Sequence, residues 1–162
     1  MRWWRKNMSR SALLDALRVI NVLTGSALAG MMFWEALIIL PVVASLEAPD
    51  GLAALRFAGR RAWRAAPVFG VSELFSGIAL AVLLPWGSSA AIAIVGLVFL
   101  TAAVLITFGP YGLLDQGVRS RTDGKAAEEK LALLPRLARL HTLRTCFYAL
   151  AAVSFAIAAM MD

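Results

Sequence analysis

His141 is the only histidine in the chain, and Arg144 follows it three residues later, about one helical turn on. Tyr148 continues the same stripe. An imidazole titrates near neutral pH and a guanidinium does not, so the pair joins a proton-exchanging group to a fixed cation. Two acids set in apolar runs, Glu35 and Glu73, are their candidate partners. Such a set supports two outcomes. One is proton abstraction with stabilisation of the anion that forms; the other is an ion-pair cluster that locks helices together. The residues themselves leave both open. A single Cys146 and a single histidine give no spacing for zinc or haem, and no metal or other cofactor is expected. Cys146 reads as a small packing residue.

The elements that must position these groups are membrane helices. The chain has 162 residues, of which 60% are hydrophobic and 16% charged. Its mean hydropathy is +0.76. A soluble domain carries about a quarter charged residues. The apolar residues form four blocks at about 19–46, 68–84, 90–108 and 140–161. Each approaches or reaches the roughly 20 residues that cross a bilayer core of about 30 Å. None alternates strictly, so helices fit and a lipid-facing barrel does not. The expectation is one all-α domain, a polytopic membrane four-helix bundle. Ala27-Leu-Ala29 looks like a signal cleavage site, but Arg18 and Asn21 interrupt the approach and the apolar run continues, so a retained helix is expected.

Within the spans, Asn21, Thr24, Leu28, Met32 and Glu35 share one face of the first helix. Thr107 lies at the end of the third. Antiparallel neighbours bring the end of span one level with the starts of spans two and four. A cluster of Glu35, Glu73, His141, Arg144 and Tyr148 follows, in which Glu73 paired with Arg144 could be a structural salt bridge. Arg144 alternatively snorkels to phosphate headgroups. Trp34, Trp86 and Tyr111 read as interface-belt aromatics. Gly25/Ala29, Ser26/Gly30 and Gly77/Ala81 are candidate small-residue contacts.

The sixteen basic residues are uneven. Loops one and three and the entrance of the fourth helix hold eleven, from Arg56 to Arg64 and from Arg119 to Arg144; the N-terminal segment holds the other five. The positive-inside rule places both termini outside and both long loops in the cytoplasm, in a bacterial cytoplasmic membrane. The formal charge of +6 thus reads as topology and anionic headgroups, and no nucleic-acid motif is present. Short interfacial helices are expected around Trp3 and Trp4, over 52–64 with Trp63, and in loop three from Lys125. Gly109-Pro-Tyr-Gly112 should end the third helix, Asp123-Gly124 should turn, and Pro135 should split the helix ahead of span four.

Leu137-Ala-Arg-Leu-His-Thr-Leu-Arg-Thr145, followed by an Ala-rich span, resembles the closing motif of the anthrone-oxygenase-like membrane proteins. Thr24-Gly-Ser-Ala-Leu-Ala-Gly30 through Pro41 resembles that family's opening helix, and Thr107-Phe-Gly-Pro110 its proline-containing end to helix three. The Trp that family often has just before the histidine is absent from Pro135-Arg-Leu-Ala-Arg139. The resemblance implies oxidation of a lipophilic polycyclic phenol or anthrone by O2 without a bound cofactor. It implies His141 as base, Arg144 as oxyanion partner and Glu73 orienting His141. Glu35 or Tyr148 would hold a substrate hydroxyl, with Thr107 and Asn21 as further polar contacts. Two other readings stand beside it: a small dimeric transporter using Glu35 as its coupling carboxylate, and a structural subunit of a larger membrane complex. A homo-oligomer is compatible with each.

Overall fold

The computed structural model describes residues 9–120 and 125–161. Four helices are long and apolar enough to cross a membrane, over Arg10–Ser45, Arg64–Leu83, Ser88–Arg119 and Glu128–Met160. These are the four expected spans. The interfacial helix expected at Trp3 and Trp4, the Asp123-Gly124 turn and the side chain of Trp63 lie outside the described residues.

Span one opens with α1, Arg10–Trp34, whose N-cap Ser9 accepts a hydrogen bond from the Ala12 backbone N–H. A π-helical segment, Glu35–Ile39, follows, and α2, Leu40–Ser45, completes the span. Pro41 has no N–H to give to the carbonyl four residues back, and the wider π turn accommodates that loss. The second helix, α3, runs unbroken over Ala48–Leu83 with Pro67 inside it. Loop one is therefore helical as expected, but it continues into span two instead of lying separately on the membrane surface. Its Leu52 and Leu55 are fully buried against Val43, Val118, Leu134 and Leu137, which anchor it to the bundle.

The third span corrects a second expectation. Gly109-Pro-Tyr-Gly112 kinks the helix without ending it. Helix α4, Ser88–Ile106, passes through a π segment, Thr107–Tyr111, with a non-helical Gly109, into α5, Gly112–Arg119. Pro135 does split the chain as expected: α6, Lys125–Leu131, is followed by a turn and then by α7, Leu134–Met160.

Span one packs on spans two and four, and span three packs on the same two, in an antiparallel ring. The surface is apolar: Leu23, Leu37, Phe75, Val82, Val98 and Phe108 are exposed. The interior holds Glu35, Glu73, Asp115, His141 and Arg144. This inversion suits a hydrocarbon solvent. Two apolar clusters fill the core. One is built on Leu28, Met32, Leu100, Tyr148 and Phe155, the other on Leu40, Leu55, Tyr111 and Leu137. Along spans one and four, Glu35, His141 and Arg144 fall at the seam between them. Cys146 is exposed on the outer face, so it is not a core packing residue. Gly25 and Ala29 are buried, whereas Gly30 faces outward with open space around it.

Candidate functional site

Glu35 is the centre of the buried polar cluster. Its Oε1 accepts from Arg119 Nη2 at 3.1 Å and its Oε2 from Arg144 Nη2 at 3.3 Å. The Tyr111 hydroxyl donates to Oε1 at 3.5 Å, the long limit of a hydrogen bond. Arg119 Nε also binds Asp115 Oδ1 at 2.5 Å, one turn back on α5, and Arg119 donates to the Leu55 carbonyl of α3. Two carboxylates face two guanidiniums, so the charges balance, which the apolar surroundings demand.

His141 is completely buried. Arg144 donates to its Nδ1 through Nε at 3.1 Å and Nη2 at 2.7 Å. Its Nε2 lies 2.8 Å from the Met32 carbonyl oxygen, to which it donates. One ring nitrogen accepts and the other donates, which is the full complement of a neutral imidazole. The ring thus holds Arg144 in place from below, while Tyr111 holds it from the side. The guanidinium carbon sits 3.5 Å from the Tyr111 ring centroid, and the Tyr111 and His141 rings are tilted at 49° with centroids 5.7 Å apart.

A cavity of about 180 Å³ opens onto this cluster. All four spans line it. Leu28, Met32, Gly70, Val71, Leu74, Val104 and Phe108 give apolar walls, and Glu35, Arg144, Tyr111, Tyr148 and Thr107 give a polar end. Pro67, Val71 and Phe108 are exposed at its mouth, on the lipid-facing surface between spans two and three. Thr107 donates to the Ala103 carbonyl and lies 3.3 Å from the Tyr148 hydroxyl, so the two hydroxyls stand together. An apolar cavity of roughly 150 Å³ already holds a benzene ring.

The chain matches no family model, no curated protein and no solved structure.

The expected residues thus divide. Glu35, Arg144, Tyr148 and Thr107 come together on the cavity. His141 does not line it and meets the cavity only through Arg144, so the expected position of the imidazole on the cavity wall is corrected. Arg144 turns inward onto Glu35 and does not snorkel. Glu73 neither orients His141 nor pairs with Arg144; Glu35 takes that place. Glu73 lies farther along the bundle, against Gly25. Asn21 is not on the cavity either. Its Nδ2 donates to the Glu73 carbonyl at 3.1 Å and to Ser76 Oγ at 2.9 Å, a cross-tie between spans one and two. Glu35 is not the isolated acid that a transporter reading needs, since two arginines hold it.

Three participants escape the sequence reading: Tyr111, Asp115 and Arg119. Tyr111 is 1% exposed and is not a belt aromatic. A signal for them exists in the sequence, because Tyr111, Asp115 and Arg119 recur at four-residue steps on one helical face. It becomes visible only once the Gly109-Pro110 step is read as a kink.

Proposed function

We propose that the protein is a membrane-embedded oxidoreductase that takes a lipophilic phenol or enolisable ketone from the bilayer and promotes its reaction with O2. The observation that carries this reading is the cavity with lipid-facing apolar walls and a polar end of one carboxylate, one guanidinium and three hydroxyls. That pairing fits an apolar ring system ending in an acidic oxygen. The entry of a ligand from the membrane is supported by the exposed residues at the cavity mouth.

In this reading Arg144 binds the substrate oxygen as it becomes negative, and Glu35 accepts the proton. The Tyr148–Thr107 hydroxyl pair holds a second polar group. His141 is a positioning residue: it fixes the plane of the Arg144 guanidinium. The enolate so formed attacks O2 and makes a C–O bond. Loss of water from the hydroperoxide leaves a carbonyl, so a ring CH2 becomes C=O and the second oxygen atom leaves as water. The excess of arginine and lysine in the two long loops supports a cytoplasmic location for this half of the bundle, with both termini outside a bacterial cytoplasmic membrane.

An oxygen electrode tests the reaction. Purified protein with a hydroxyanthrone should consume O2, and Arg144→Ala should lower the rate roughly 10²–10³-fold, the usual effect of losing one oxyanion donor. Equal rates in both, above the rate without protein, would sink the assignment.

A further inference from the structure

Glu73 stands apart from the cluster just described. It is 1% exposed, and neither oxygen of its carboxyl has a hydrogen-bond partner. It lies near the middle of the second span, nine residues after Arg64 and ten before Leu83. Its Oε1 would sit 2.8 Å from a Cβ built on Gly25, and Ala152 would lie 3.3 Å from that same Cβ. The carboxyl therefore occupies space that the glycine leaves vacant at the junction of spans one, two and four. Along span one, Gly25 is ten residues from Glu35, about 15 Å at about 1.5 Å per residue. The two acids are separate sites.

Among the described residues, the neighbours supply no countercharge. Span one presents Asn21 and Gly25 at this level. The Asn21 amide nitrogen is already engaged with the Glu73 carbonyl and Ser76, and its Oδ1 is itself without a partner. Arg18, farther along the same face, binds Asp15. Span four presents Ala152 and, one turn away, Tyr148, whose hydroxyl is turned to Thr107. On its own helix Glu73 is flanked by Ser72 and Ser76, and the Ser76 hydroxyl is spent on the Ser72 carbonyl at 2.7 Å. Span three carries no charged residue from Ser88 to Leu114. An ionised carboxylate placed here requires a countercharge that these groups do not provide. The close fit against Gly25 suits the smallest counterion available.

We propose that Glu73 is a proton-binding site in the membrane interior, independent of the cavity and separate from Glu35. Unpartnered carboxyls at mid-membrane are the parts from which proton relays are built. Glu35 differs from Glu73, because Arg119 and Arg144 hold its carboxylate and it lines the cavity.

Dicyclohexylcarbodiimide, a lipophilic reagent for protonated carboxyls buried in membranes, tests the proposal on the purified full chain. Peptide mapping by mass spectrometry should find the adduct on Glu73, with labelling lost as the pH is raised. The adduct should persist in Glu35→Gln and disappear in Glu73→Gln, and excess sodium chloride should not protect against it. No adduct at Glu73 in the folded wild-type protein would overturn the proposal. So would protection by sodium chloride that choline chloride does not give, since that outcome makes the site one for a metal cation. Failure of the oxygen-electrode experiment leaves this result unaffected, because Glu73 does not line the cavity.

Discussion

Glu35 is one carboxylate answering two guanidiniums, and the consequences of removing it follow from that count. Glu35→Gln leaves Arg119 with Asp115 but strips Arg144 of its only ionic partner among the described residues. Breaking a buried pair by deleting one member costs about 3–5 kcal/mol, because a charge is left uncompensated. Thermal unfolding in detergent should show this loss for Glu35→Gln. Glu73→Gln removes a carboxyl that has no hydrogen bond and should unfold near the wild-type temperature. Equal losses in the two variants would contradict the separation of the sites. At this scale the sequence was informative where cost was the signal. Acids, a histidine and an arginine inside apolar runs are expensive, and each proves to be buried. What residue types alone could not show is which acid meets which cation. Glu35 and Glu73 are equivalent in sequence terms; only the register of α3 against span one separates them.

Helix irregularities set that register and shape the cavity. Pro41, Pro67 and Pro110 each remove a backbone donor, and two of them accompany π segments that contain Glu35 and Tyr111. The kink at Gly109 carries Tyr111, Asp115 and Arg119 back over the site. A reading that ends span three at Gly109 loses all three residues at once, because glycine and proline mark a stop and a bend with the same letters. Gly59 of α3 offers a test at this scale. A Cβ there would overlap the Arg119 guanidinium. Gly59→Ala should therefore displace Arg119 from Glu35 and cost about 1–3 kcal/mol, as overpacking does. If Gly59→Ala unfolds at the wild-type temperature, Arg119 does not cross α3 at that point.

At the scale of the whole molecule, composition was enough to give the architecture. Four apolar blocks of hydrocarbon length permit little besides a bundle with lipid-facing Leu, Val and Phe and an interior that gathers the polar residues. The asymmetry of arginine and lysine gives orientation as a proposal. Trp86, exposed in the short turn between spans two and three, reports on it directly. In a Cys146→Ala background, Trp86→Cys should react with a membrane-impermeant maleimide added to intact cells. Labelling only after the cells are broken would reverse the topology and put the basic loops outside.

In the proposed function, Arg144 and Glu35 ionise a ligand bound in the cavity. Visible absorbance of a bound hydroxyanthrone measures it, because its phenolate or enolate absorbs at longer wavelength than the neutral form. Wild-type protein should shift the bound ligand to the anionic spectrum at neutral pH. Arg144→Gln should leave it neutral, and His141→Ala should weaken the shift by freeing the Arg144 guanidinium. An anionic spectrum that persists in Arg144→Gln, or a bound ligand that stays neutral in the wild type, would contradict the account.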